Sequence, residues 1–372
     1  MGLRVLVIGG GIGGLSAAIA LVRDGHAVDL IERNADLAAL GAGLTFNGAT
    51  AKALAQVGVI DAVLARGCSH GTSRVCDKNG KVLVESSDEE VYGAGVPVLG
   101  GILRPVLHEI LKTEAERQGV RARTSTTVEA IVESPGGAEI TFTDGSARTY
   151  DLVIGADGLL SSTRRMVFPD APGPVFSGQG CWRAVAPRPA SVTTSELYFG
   201  TRHKAGINPV SADEMYLFCL VSAPTNPWHE EADWVDLLKG ELAEFGGHIG
   251  EVRDNLGAGS RINYRPLETI VMPPPWHKGR VLLIGDAAHA TTPHVGYGAG
   301  LAIEDGVVLA ELLRAGDPLP EVFDAFMTRR YERCAAVVEG SVGLGQLEID
   351  QAPVADQRRL SRQIYDLIRE PA

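Results

Sequence analysis

Position 286 offers a carboxylate where a ligand can reach it. The stretch from Arg280 to Asp305 reads RVLLIGDAAHATTPHVGYGAGLAIED. Val281 to Ile284 is a continuous apolar run, the pattern of a strand buried on both faces of a parallel sheet. Gly285-Asp286 closes that strand, and open α/β sheets place their ligand contacts at such ends. Asp286 can accept hydrogen bonds from ligand hydroxyls. Gly296, Gly298 and Gly300 then lead into a helical stretch, Leu301 to Leu313, with Leu301, Val308 and Leu312 on one face. A helix start offers unpaired N–H groups and a positive dipole end, which favour an anionic ligand. The plainer alternative is a strand–turn–helix with a solvated aspartate.

A second ligand signal stands at the N-terminus. Gly9-Gly10-Gly11-Ile12-Gly13-Gly14 follows the apolar run Arg4 to Ile8, and Glu32 ends a second run, Ala27 to Ile31. This is GxGxxG inside a βαβ unit with an acid behind the second strand. Gly9 permits the tight turn, Gly11 lets the backbone approach a pyrophosphate, Gly14 lets helix and strand pack closely, and Glu32 can hold ribose hydroxyls. The fingerprint does not by itself separate FAD from NAD. A third acid–glycine pair, Asp157-Gly158, ends the apolar run Asp151 to Ile154, with Arg164 and Arg165 on the next helical turns.

The elements that position these residues can be read in order. After the first βαβ unit, helices are expected over about 47–56 and 60–66. Short strands follow over 72–76 and 81–85, joined by the turn Asp77-Lys78-Asn79-Gly80. Pro105 opens a helix that Gly119 stops. Hairpins follow between 120 and 154. From about Gly178 the pattern becomes antiparallel, with strands expected over 182–185, 196–200, 204–210 and 214–222, then helices near 232–245 and 249–256. Pro273-Pro274-Pro275 marks the return to the first unit, and the tail carries helices near 320–342 and 355–370.

The chain has 372 residues, enough for two domains and a large core. A formal net charge of -12 without a basic run argues against partners such as nucleic acid or an anionic membrane. Five cysteines, an odd number with no CxxC pair, fit a reduced cytoplasmic protein better than a disulfide scaffold. No metal site is expected, because the nine histidines show no HExxH and no pairing with cysteine. Met1 to Val22 is apolar enough to pass for a signal peptide, but a glycine cluster sits at its centre and it reads as strand–turn–helix.

The three signals, in this order and over nearly the whole chain, resemble the group A flavoprotein aromatic monooxygenases, the p-hydroxybenzoate and salicylate hydroxylase type. The resemblance implies an α/β fold: a Rossmann-like FAD-binding domain (1–70, 98–177 and 267–350) interleaved with an antiparallel-sheet substrate domain (71–97 and 178–266), then a C-terminal helix (351–372). It implies FAD with its AMP half on Gly9, Gly11, Gly13, Gly14 and Glu32, Arg33 near the adenosine, and Arg104 at the pyrophosphate. Asp157 and Gly158 would serve FAD and the nicotinamide donor, and Asp286 the ribityl chain. Gly298, Ala299 and Gly300 would face the pyrimidine edge, where a reduced flavin carries its negative charge, with Pro293 beside the reacting face.

The chemistry implied is reduction by NADH or NADPH docking transiently, addition of O2 to give a C4a-hydroperoxyflavin, and hydroxylation of a small hydroxylated aromatic or N-heteroaromatic acid. Its catalytic candidates are His294, Pro293, Tyr216 and His203, and its substrate contacts Thr45, Lys204, Tyr216 and His294. Strand alternation forbids His203 and Lys204 from both pointing inward, and likewise Trp182 and Arg183, of which Trp182 reads as core. His289 reads as structural. A monomer or homodimer is expected. The sequence departs from its relatives at Leu159-Leu160-Ser161 and at Gly48, which bears on the substrate. Two alternatives stand beside this reading: a flavin hydroxylase or epoxidase of a larger polycyclic compound, and a non-catalytic dinucleotide-binding protein.

Overall fold

In a computed structural model the chain is described over residues 2–37, 41–87, 97 and 99–372. Part of the segment expected to leave the first domain, residues 88–96, lies outside these described residues.

The six-stranded sheet is built on the βαβ unit. Strand Arg4–Ile8 pairs in parallel with Ala27–Ile31 on one side and with Leu152–Gly155 on the other. Val281–Leu283 and Arg121–Arg123 extend the parallel order outward, and the short His277–Lys278 closes one edge antiparallel. Val5, Leu6, Val7, Leu152, Val153, Ile154, Leu282 and Leu283 are all fully buried. That is why these strands read as unbroken apolar runs: helices cover one face and an antiparallel meander of three strands packs on the other.

Helix Gly298–Leu313 lies in the middle of the large core, buried along most of its length. It packs on helix Ile12–Arg23 so closely that a Cβ at Gly306 would lie 2.6 Å from the Ala17 Cα.

The second layer is a seven-stranded sheet, ordered Arg261–Thr269, Val175–Pro187, Glu214–Ser222, Lys204–Pro209, Ser195–Phe199, Thr72–Asp77, Val82–Ser87. All pairs are antiparallel except Ser195–Phe199 with Thr72–Asp77. One face packs on helices Trp234–Glu241 and Gly247–Asn255 through Trp182, Ala184, Ala205, Ile207, Leu217 and Cys219. The opposite face carries Cys181, Arg183, Lys204, Asn208, Tyr216 and Phe218, as strand alternation requires.

Several elements differ from the sequence reading, among them strands Cys68–His70 and Leu99–Leu103, which it lacked. Arg261–Thr269 is a nine-residue strand with no counterpart in it. Gly43–Asn47 is a strand too, paired with Leu99–Leu103. The helix expected to end near Val342 runs Leu319–Ile349. Its late glycines mark close approaches rather than a stop: a Cβ at Gly340 would lie 2.5 Å from Ile364 Cδ1, and one at Gly345 2.5 Å from Gln179 Oε1.

Candidate active site

The glycine turn is braced from two sides. Gly9 has φ of +110°, and a Cβ there would lie 2.4 Å from the Ala156 carbonyl oxygen. A Cβ at Gly14 would lie 2.0 Å from the Gly9 carbonyl oxygen, so strand and helix meet backbone to backbone. Gly11 has nothing within 4 Å of its Cβ position and faces open space. The Gly10 N–H donates to Glu32 Oε2 at 2.9 Å, and its carbonyl faces His108 Nε2 at 2.7 Å. His108, on helix Arg104–Arg117, escaped the sequence reading; its requirement is a carbonyl 98 residues away. The turn opens on a cavity of about 250 Å³, lined among others by Gly11, Glu32, Arg33, Arg104, His108 and Asp157. No side chain caps helix Ile12–Arg23, so its first N–H groups are left for a ligand.

Gly13 points elsewhere. A Cβ there would lie 3.1 Å from the Ala302 Cβ, and a Cβ at Gly285 would lie 3.1 Å from the same atom. Ala302 is thus the point where the dinucleotide turn and the Asp286 turn both press on helix Gly298–Leu313. Gly13 serves that convergence instead of lining the cavity.

Asp157 serves its own chain. Its carboxylate accepts from the hydroxyls of Ser161 and Ser162, and from Thr163 through N–H at 2.9 Å and hydroxyl at 3.0 Å. It fixes the start of helix Ser162–Val167 and lines the same cavity as Gly11 and Glu32.

Asp286 keeps its side chain accessible at the end of strand Val281–Leu283. The protein around it pushes its carboxyl up from the ordinary carboxylate value, against the pull of Arg104 and His289. Arg104, which lines the cavity, thus also acts on Asp286. Behind the turn, Asp305 accepts from the Gly285 N–H at 2.8 Å, from His289 Nε2 at 2.6 Å and from Arg330 Nε at 2.8 Å, all three side chains buried. His289 is structural, as expected, and its charge is favoured by Asp305.

The start of helix Gly298–Leu313 carries no side-chain cap. Gly298 and Ala299 are half-buried, as is Pro293. Gly300 is packed: a Cβ would lie 2.4 Å from the Tyr297 ring and 2.6 Å from Thr50 Oγ1.

The sheet's inner face sorts the substrate-side candidates. Tyr216 lies against Gly43, where a Cβ would approach its ring to 2.4 Å, and its hydroxyl accepts from Arg183 Nε at 3.2 Å. Burial lifts its phenol to about 12, despite Arg183. Thr45 Oγ1 accepts from Asn208 Nδ2 at 3.0 Å, and Asn208 Oδ1 faces His70 Nε2 at 2.9 Å. Lys204 points inward but is paired with Glu348 on helix Leu319–Ile349. Its reading as the anchor of an anionic substrate is corrected by that pairing. His294 Nδ1 faces Thr292 Oγ1 at 2.8 Å, and its Nε2 lies 3.3 Å from Glu348 Oε2. Burial lowers the His294 pKa even beside Glu348. Glu348 is itself buried, which opposes its charge, but Lys204 and His294 prevail and hold it down at about 2.

His203 faces the other way, with Nε2 2.7 Å from Glu241 Oε2 on helix Trp234–Glu241. It does not join the site, which corrects its catalytic reading. Trp182 is core, its ring centroid 4.7 Å from that of Tyr264.

FAD fits this arrangement. An open, amide-lined glycine turn suits a pyrophosphate, Glu32 stands at the ribose end, Asp286 offers acceptors to a hydroxylated chain, and an uncapped helix start awaits an electron-rich ring edge.

Comparison with known proteins agrees with the architecture. The family described as "FAD binding domain" matches residues 2–341. The chain is 30% identical over 370 residues to the putative FAD-dependent monooxygenase YetM of Bacillus subtilis, covering 99% of each. It is 29% identical to the 2-heptyl-3-hydroxy-4(1H)-quinolone synthase of Pseudomonas aeruginosa, over 100% of each chain. Klebsiella pneumoniae HpxO, solved with FAD and uric acid, superposes with a TM-score of 0.87 at 24% identity, covering 98% of this chain and 96% of that one.

Proposed function

Because this chain belongs to the FAD-dependent aromatic monooxygenases, we propose that it hydroxylates a small hydroxylated aromatic or N-heteroaromatic acid, with NADH or NADPH as electron donor. The observation that carries the reading is the meeting at Ala302. There the dinucleotide turn, the Asp286 turn and the uncapped helix of residues 298–313 are locked together, so one extended cofactor can touch all three.

Bound FAD supplies the activation of O2 for transfer of one oxygen atom to the ring. The protein's residues bind, orient and seal. The glycine turn and Arg104 take the pyrophosphate, Glu32 the ribose and Asp286 the ribityl hydroxyls. The N–H groups at the start of helix Gly298–Leu313 stabilise negative charge on the ring edge. Pro293 and His294 border the reacting side. His294 is held neutral, and its contact with Glu348 makes it a wall and a polar neighbour of the substrate more than a free base. Lys204, Glu348 and His294 close one end of the space under the sheet, where excluding water protects a reactive oxygen species from decay.

A single strand–GxGxxG–helix unit in the sequence argues for a nicotinamide donor that docks and leaves. The quinolone relative's name favours a second reading, a larger bicyclic substrate with an aliphatic chain. Stopped-flow reduction of the bound flavin by NADH and NADPH, with hydroxybenzoates, hydroxypyridines and alkylquinolones added in turn, tests both. Acceleration by the small acids supports the first reading, acceleration by alkylquinolones alone replaces it with the second, and no acceleration by any ring overturns both.

A further inference from the structure

On the inner face of the seven-stranded sheet Arg261 and Arg265 are exposed on the edge strand, whereas Lys204 and Arg183 are half-buried and differ in what balances them. Lys204 is matched by Glu348. Arg183, on strand Val175–Pro187, has no carboxylate within ion-pair distance among the described residues. Its neighbours on that face are Cys181, Val185, Tyr216, Phe218 and, on the adjoining strand, Asn263, none of them anionic. A cation set in neutral, largely apolar surroundings is costly unless something pairs with it.

The geometry of the guanidinium narrows what that partner is. Nε donates to the Tyr216 hydroxyl at 3.2 Å, which fixes one edge of the plane and leaves both terminal nitrogens without a side-chain partner among the described residues. The Tyr216 ring is itself wedged against Gly43, two residues before Thr45. The fork is therefore held at the seam between the sheet and the strand Gly43–Asn47. A planar fork of N–H donors matches a planar carboxylate two bonds at a time, which a lysine cannot do.

We propose that Arg183, oriented by Tyr216, is the specificity-determining residue that receives the carboxylate of an aromatic acid substrate. Lys204 does not share this task, because Glu348 already satisfies it. The assignment rests on the monooxygenase reading above, in which this face roofs the substrate space.

The test uses the FAD-loaded enzyme and matched ligand pairs that differ only in charge: salicylate and salicylamide, 4-hydroxybenzoate and 4-hydroxybenzamide, 3-hydroxypicolinate and 3-hydroxypicolinamide. Binding is read from the flavin absorbance change, and each ligand's effect on flavin reduction by NADH is read alongside. Wild type is expected to bind the acid of at least one pair about ten- to a hundredfold more tightly than its amide, the range of a charge-assisted pair. R183M and R183Q are expected to remove that preference and R183K to keep part of it, while H203A, on the far face of the sheet, leaves it in place. R183K against R183Q decides the matter if R183M does not fold. An enzyme that takes up FAD and is stimulated equally by acids and amides overturns the role of Arg183 while the monooxygenase reading stands. So does a preference that survives in R183Q. If no ring perturbs or stimulates the flavin, the underlying reading falls and this one with it.

Discussion

Replacing Asp305 by asparagine removes the charge that holds the Asp286 turn. Asp305 is fully buried and accepts from three donors: the Gly285 N–H, His289 Nε2 and Arg330 Nε. Asparagine offers one acceptor oxygen and turns an NH2 group toward a donor. At least one of the three is orphaned, at about 1–3 kcal/mol. Arg330, also fully buried, keeps Glu304 at 2.8 Å and the Leu301 carbonyl at 3.1 Å, but loses its second carboxylate. Breaking a buried pair from one side costs about 3–5 kcal/mol. The two penalties overlap, so about 3–5 kcal/mol is the expected loss, which is about 4–6 °C in melting temperature for a chain of this size.

The pH dependence gives the sharper readout. Burial opposes the Asp305 charge, but His289 and Arg330 outweigh it and hold its pKa down at about 2. Its contribution is therefore present above the unfolded value of about 3.9 and fades as pH falls toward 2. His289 is raised in the folded state, its neighbours overcoming the burial that opposes its charge. Its contribution is fully present below the unfolded value of about 6.5 and declines as pH rises from there through the folded pKa. Melts of wild type and D305N, followed by circular dichroism, should differ most between about pH 4 and 6.5, converge in acid, and narrow only in part above 6.5, where Arg330 and the Gly285 N–H still hold Asp305. A variant that melts within about 1 °C of wild type in that window, or a gap that stays constant with pH, would refute this account of the network.

Other substitutions separate cofactor contacts from packing. G14A should fail to accumulate folded, since its Cβ meets the Gly9 carbonyl oxygen at 2.0 Å, whereas G11A, with open space, should fold as apoprotein and lose FAD affinity by tenfold or more, read by flavin titration. E348Q should destabilise by about 2–4 kcal/mol, because Lys204 is left buried and unpaired. Since Glu348 is held at about 2, the gap to wild type should close as pH falls from about 4.3 toward 2, as followed by urea denaturation. H203A should leave flavin reduction and coupling within about twofold of wild type, because its ring meets Glu241 on the far side of the sheet; a tenfold loss would return it to the site.

The sequence disclosed the residues whose partners are close in the chain or fixed by a short pattern. Gly9, Gly11, Gly14 and Glu32 were legible because one turn sets their spacing. A second task of Asp157 went unread although its partners are also local: Ser161, Ser162 and Thr163 form a helix-start signal. Glu348 was hidden because Gly340, Gly343 and Gly345 look like the end of a helix, and only the fold reveals that Ile364, Leu360 and Gln179 press there. Strand Arg261–Thr269 was lost because Pro266 interrupts its alternation. For His203 and Lys204, alternation said that one faces inward but not which. That was decided by Glu241 on one face and Glu348 on the other.

The most direct measurement is a crystal structure of the FAD-loaded enzyme. The account predicts an Asp286 carboxylate oxygen within about 2.5–3.2 Å of a ribityl hydroxyl, with the pyrimidine edge of the ring over the N–H groups of residues 298–300. A nicotinamide dinucleotide along the glycine turn, or a flavin ring remote from the start of that helix, would contradict it.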